Sequence, residues 1–284
     1  MKHRAAGNET PPETIRRLAR EMVAGAKSQG WEGLPFDVEI LAGLQGIDVK
    51  PADGDIKAEA RLMPLPDQRL EIEYAPEALE TRRRFSICHE IAHTFFPDCF
   101  TQIQHRRKGA PFDPVHAELE QLCHLGASEL LLPVEEFLEN AAGRGPGMRA
   151  AEELGQVFNA SVEASLRRLV DLSEDACCLY WLSERLKPKE ERQEGPEFDF
   201  GLPGPKPKLR VDYHVPSQSW KGFIPKHKSI PDESGLYKIL KGEGFEGAQE
   251  NWGALNLGRV HVEGMVSIHA GEDVPALMVL IKPT

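Results

Sequence analysis

Between Phe85 and Phe96 the sequence reads FSICHEIAHTFF, an apolar stretch that carries two histidines four residues apart and a glutamate. A helix advances about 100° per residue, which sorts this stretch into two arcs. One arc holds Phe85, Ile87, Cys88, Ile91, Ala92, Phe95 and Phe96; the other holds Ser86, His89, Glu90, His93 and Thr94. A helix face in water normally carries lysine and arginine, and this polar arc has neither. It is therefore expected to face protein or a cleft, where unpaired polar groups are costly. Any fold of this chain has to bury both faces of the helix and satisfy its imidazoles and carboxylate. The bare His-Glu-x-x-His pattern arises by accident in roughly 4% of chains of this composition, so its setting carries the weight.

A single metal ion would satisfy both imidazoles. Spacing of four residues puts the rings of His89 and His93 on one face, within reach of one ion at about 2.0–2.1 Å per Zn–N bond. Glu90 sits about 100° round from His89 and is directed at a water on the ion rather than at the ion itself. The plainer alternative is a partly buried helix with hydrogen-bonded histidines. A catalytic zinc also needs a third protein ligand and an open position. The next helix, expected from Asp113-Pro114 to about Leu132, offers His116, Glu118, Glu120 and His124. Its inward arc of Val115, Leu119, Leu122, Cys123, Gly126, Ala127, Leu130 and Leu131 encloses Glu120 and His116. Glu118, Gln121, Ser128 and Glu129 fall outside that arc, and His124 lies at its edge. A carboxylate among apolar side chains is rare unless paired or ligated, which makes Glu120 the expected third ligand. Two alternatives stay open: an ion pair between Glu120 and one of Arg82–Arg84, and ligation by His116.

Composition narrows the class. The chain has 284 residues, a net charge of −11, 28% charged and 40% hydrophobic residues, the profile of a globular protein long enough for one large or two to three small domains. The acidic balance argues against coating nucleic acid or an anionic membrane. No run of apolar residues is long enough to span a bilayer, and MKHRAAGNETPPETIRR lacks the apolar centre of a signal peptide. The five cysteines, Cys88, Cys99, Cys123, Cys177 and Cys178, are odd in number and widely spaced, which suggests reduced thiols in a cytoplasm.

Periodicity places a helix over PETIRRLAREMVAGAKSQG, a second over LPFDVEILAGLQG, and strands at IDVKP and QRLEIEYAP ahead of the 79–96 helix. A loop over 97–113 contains the basic cluster HRRK, and PVEEFLENA starts a further helix. MRAAEELGQVFNASVEASLRRLVDLS reads as a helical pair with a turn near Asn159–Ser161, and DACCLYWLSE as a strand, with Cys177 and Cys178 packed in the core. Residues 187–208 are rich in proline, glycine and charge and read as a linker. Beyond it LRVDYHV, RVHVEGMVSIH and ALMVLIK are strand-like, with a helix near 234–241. His261 and His269 are expected on a polar face of these strands. The fold class is α+β.

RRRFSICHEIAHTFF followed by ELEQLCHLGASELLLP resembles the ImmA/IrrE family of bacterial metallopeptidases. Carried over residue by residue, the resemblance implies His89, His93 and Glu120 as metal ligands and Glu90 as general base. His124 is a departure, standing where the family often has asparagine. The likeness extends from about residue 35 to the end and is most specific at the two helices. It implies a zincin-like peptidase domain over 1–142, a helix-turn-helix-like segment over 143–186, the linker over 187–208 and a small α+β domain over 209–284. In the three-part IrrE branch that last domain is GAF-like, as a sensor would be.

With two neutral imidazoles and one carboxylate, a divalent ion keeps a net positive charge and lowers the pKa of its water towards about 7. Glu90 would take that proton and pass it to the leaving amine. The ligand set suits Zn²⁺ and also accepts Mn²⁺ or Fe²⁺. By analogy with other zinc peptidases, the strand QRLEIEYAP is expected to line the cleft and pair with substrate. The resemblance implies a protein substrate, a helix-turn-helix repressor whose cleavage induces stress or mobile-element genes. The rival is a DNA-binding or signal-sensing regulator in which 85–132 form only a structural core or structural metal site. LGQVFNASVEASLRRL resembles a DNA-binding helix-turn-helix, yet Arg149, Arg167 and Arg168 are balanced by Glu152, Glu153, Glu163 and Asp171, which is poor for neutralising phosphate.

Overall fold

The computed structural model describes residues 9–56, 58–67, 69–97, 114–191, 205–245, 247–267 and 276–284, without the side chains of 114–116 and 191. Cys99, the HRRK cluster, Asp113, the side chain of His116, His269 and 192–204 of the expected linker lie outside the described residues. Among the described residues no helix is long and apolar enough to cross a membrane. The chain divides into two compact units, 1–142 with 153–164, and 143–152 with 165–284.

In the first unit, α1 (Pro11–Ser28) begins at proline and buries Ile15, Ala19, Val23 and Ala26, the stripe its periodicity foretells. Asp37 caps α2 (Val38–Leu44) by accepting the amides of Glu39 and Ile40. Gly46, at φ +72°, then turns the chain into β1 (Ile47–Pro51), a conformation most side chains resist. β2 (Ala60–Pro64) and β3 (Leu70–Tyr74) complete a three-stranded sheet of order β1-β3-β2. β1 runs parallel to β3, and β2 runs antiparallel to it with Leu62 opposite Ile72. β3, the strand QRLEIEYAP expected to pair with substrate, is thus central and has a neighbour on each side, and β1 and β2 are the edges. Periodicity did not mark β2, because ARLMP is short and ends in proline.

Two helices follow, α3 (Glu80–His93) and α4 (Pro114–Leu131). They pack side by side with α1 against them. Ile15, Ala92, Phe96, Leu119 and Cys123 form their shared core. Gly126 is the point of closest approach, since a Cβ there would stand 2.8 Å from the Ala92 Cβ and 3.4 Å from a methyl of Ile15. Pro133 separates α4 from α5 (Val134–Ala141). Glu129 was expected outside the inward arc of α4; it is buried and accepts a 2.6 Å hydrogen bond from Arg16. The arc is wider than the wheel drawn from α4 alone because α1 covers a flank of it.

α6 (Met148–Phe158) and α7 (Val162–Leu172) form the helical pair, with Asn159 at φ +48° in the turn. The second unit is built on a sheet of order β5-β4-β8-β7-β6. Its strands are β4 (Cys178–Arg185), β5 (Lys208–Pro216), β6 (Ala248–Asn251), β7 (Arg259–Ser267) and β8 (Ala276–Pro283), antiparallel throughout. The central strands β4 and β8 are the near-continuous apolar runs CLYWL and ALMVLI, as strands covered on both faces require. A one-turn α8 (Pro188–Glu191) lies within the stretch read as linker. α9 (Leu236–Leu240) packs on the sheet, where Tyr180, Leu182, Leu236, Trp252, Val262, Val279 and Ile281 make a core. β6 is an addition to the expected strands; AQEN has no apolar alternation and owes its place to pairing with β7.

Candidate metal centre

His89 and His93 lie one turn apart in the last two turns of α3, and Glu120 reaches them from α4. Nε2 of His89 is 3.2 Å from Nε2 of His93 and 3.2 Å from Oε2 of Glu120; Nε2 of His93 is 4.0 Å from Oε1 of Glu120. Ligand atoms bound tetrahedrally at 2.0–2.1 Å would be separated by about 3.3 Å, so this spacing fits one small divalent ion. The three groups are the one cluster of potential ligands found among the described residues, with ligand atoms within 4.8 Å of one another. Two imidazoles and a carboxylate all present electron pairs to one point. Without a cation, at least one histidine must turn an N–H into the cluster; a cation satisfies all three together.

Burial grades across the site. The side chain of His93 is 4% exposed, that of His89 13% and that of Glu120 28%, so the carboxylate is the most exposed of the three groups. Nδ1 of His89 is buried without a hydrogen-bond partner among the described residues. Nδ1 of His93 lies 3.1 Å from the Sγ of fully buried Cys123. The ring of His124 stands 4.7 Å from that of His89 and 5.7 Å from that of Phe85, centroid to centroid. The thiol of Cys88, on the other face of α3, is pushed up to about 12 by complete burial, which leaves it an inert core residue.

Glu90 is buried and points away from the apolar arc of α3 towards the sheet. Its Oε2 accepts a 3.0 Å hydrogen bond from the Leu62 amide of β2. The hydrogen bonds from Ala75 N to Glu59 O and from Leu65 N to Arg69 O show that odd-numbered residues of β2 face β3. Even-numbered residues therefore turn their backbone groups outward, and this frees the Leu62 amide for Glu90. Sequence reasoning missed this contact, because it depends on the register of a strand that carried no signal of its own.

The arginine alternative for Glu120 finds these groups engaged elsewhere. Arg84 donates to the carbonyls of Phe36 at 2.7 Å and Asn159 at 3.2 Å, tying α3 to the turn of the helical pair. Arg83 lies 5.0 Å from the Tyr74 ring centroid, and Arg82 reaches Glu59 at 3.5 Å.

Residues 45–170 match the family Peptidase_M78, the IrrE N-terminal-like domain. The radiation response metalloprotease IrrE of Deinococcus deserti is 26% identical over 171 residues, which cover 57% of this chain and 57% of that relative. The match thus spans little more than half of the relative's length. Among solved structures, a Mycobacterium tuberculosis transcriptional regulator is similar with a TM-score of 0.57 and 13% identity, covering 95% of this chain and 75% of that one. Similarity at that identity speaks to the fold alone.

Proposed function

We propose that this chain is a metal-dependent endopeptidase of ImmA/IrrE type, a reading supported by the match of residues 45–170 to the IrrE N-terminal-like domain and by the similarity to the Deinococcus relative. The observation that carries the reading is the convergence of His89, His93 and Glu120 on one point beside a buried Glu90. His89, His93 and Glu120 would hold the ion, Zn²⁺ in the first instance and Mn²⁺ as the alternative the same ligands accept. A divalent ion supplies Lewis acidity, polarising a peptide carbonyl and making water acidic enough to be deprotonated near neutral pH.

The remaining chemistry belongs to the protein. Glu90 is the general base and proton carrier: the Leu62 amide fixes one carboxylate oxygen, and a carboxylate has lone pairs enough to receive a proton as well. The outward edge of β2 would take an extended substrate by strand addition, with Glu90 at the point where the edge meets α3. The helical pair within 143–186 is a helix-turn-helix-like segment, and 209–284 a GAF-like sensor domain after the 187–208 linker. Two of the arginines that would meet DNA are otherwise occupied. Arg168 is buried, and the guanidinium of Arg167 lies 4.2 Å from the Trp181 ring centroid and donates to the Tyr213 hydroxyl at 3.0 Å. This favours a protein partner over phosphate. The substrate we assign is a helix-turn-helix repressor, cleaved in a stress or mobile-element response; the name of the Deinococcus relative supports the stress role. A reducing cytoplasm suits the four described cysteines, which are all buried and form no disulfide.

The test is incubation of the purified chain with a co-encoded repressor and added Zn²⁺ or Mn²⁺. Cleavage that a chelator stops, and that Glu90→Gln lowers by at least about 100-fold while retaining the metal, is the expected result. Salt-sensitive binding to a specific duplex with no proteolysis would instead establish the regulator.

A further inference from the structure

The buried contact between Cys123 and His93 is not explained by packing alone. Cys123 follows Glu120 by three residues, so one face of α4 presents a carboxylate to the front of the histidine pair and a sulfur to the back of one ring. A histidine that gives Nε2 to a metal carries its hydrogen on Nδ1. In His93 that nitrogen is enclosed, 3.1 Å from the Cys123 Sγ. The opposite tautomer, with the thiol donating to Nδ1, would place a hydrogen on Nε2, where it points into the ligand cluster and opposes a cation.

We infer that Cys123 is a positioning residue for the metal centre: its sulfur accepts the Nδ1–H of His93, holding the tautomer and ring plane that aim Nε2 at the ion. The inference rests on the metal reading of the cluster. It assigns to a residue of the inward arc a role beyond core packing. Sulfur is a weak acceptor, but it is polarisable and already in contact, so no group has to move to make the bond. Partners of this kind typically contribute 10- to 100-fold to metal affinity, and a thiol belongs at the low end.

The measurement is the Zn²⁺ dissociation constant of the full chain, stripped of metal and titrated against a competing chelator, alongside the melting temperature of the metal-free protein. Cys123→Val fills the space without an acceptor, Cys123→Ala leaves it empty, and Cys123→Ser restores an acceptor. The valine and alanine variants are expected to bind Zn²⁺ about 10-fold more weakly, with serine within about threefold of wild type. The visible bands of the Co²⁺-substituted protein should shift in valine and return towards wild type in serine. Affinities in valine or alanine equal to wild type would overturn the role of Cys123 alone. So would a serine variant as weak as valine. If the wild-type chain takes up no stoichiometric zinc, the metal reading falls and this inference with it.

Discussion

At the scale of single residues, the site depends on which groups carry electron pairs to one point. On the proposed reading, His93→Ala would remove an almost wholly buried ligand, and Glu120→Gln the charge that would balance the cation. Elemental analysis of each purified variant should find bound zinc falling from about one equivalent to near zero in His93→Ala, and by at least tenfold in Glu120→Gln. Retention of a full equivalent in both would refute the ligand set. That His89, His93 and Glu120 come together was expected from the sequence: a polar arc without lysine or arginine on α3, and a carboxylate within the apolar arc of α4, each have to meet something inside the protein. Arg84 shows where such reading stops. Among three consecutive arginines nothing local marks the one that reaches backwards to the Phe36 carbonyl and forwards to that of Asn159.

Among elements, the distance between α3 and α4 sets whether Glu120 reaches the histidines. Gly126 holds that distance, because a methyl group there would meet the Ala92 Cβ at 2.8 Å with no flexible side chain to give way. Gly126→Ala should therefore destabilise the first unit by about 1–3 kcal/mol, read from the shift in denaturant midpoint, and weaken zinc binding as well. Ala92→Gly in the same chain should recover part of both losses; no recovery would locate the strain elsewhere. In the second unit, the amide of Met148 at the start of α6 donates to Glu263 at 2.9 Å, and Lys282 donates to the same carboxylate at 2.7 Å. Burial opposes ionisation of Glu263, but the bonds from Lys282 and the Met148 amide outweigh it and hold its pKa below the usual carboxylate value. A depressed folded pKa means that its contribution is complete above the ordinary glutamate value of about 4.3 and is lost as pH falls through the lower folded value. Glu263→Gln should thus lower stability at neutral pH and flatten the acid limb below about pH 4, followed by circular dichroism. An unchanged acid limb would show that the group is not linked to folding.

For the molecule as a whole, an ion bound to the folded state alone adds stability by mass action, about 2.7 kcal/mol at a hundred times its dissociation constant. Hydrogen exchange with and without zinc should show where that stability goes. Added protection is expected in α3 and α4 and at the Leu62 amide, with β4 and β8 unchanged, since the latter belong to a separate compact unit. Equal protection of β4 and β8 would mean that the two units unfold together. What the sequence settled by itself is the α+β class, the helices with clear stripes, the buried apolar strands β4 and β8, and the polar arc of α3. Each is a periodic signal within one segment, and periodicity is a local property of the chain. The tertiary structure alone decided that β2 takes the sheet edge, that its Leu62 amide meets Glu90, that Glu129 is covered by α1, and that Cys123 touches the back of His93. Those facts depend on register and on which helix lies against which, and such contacts join residues from roughly thirty to over a hundred positions apart, beyond the reach of any local pattern.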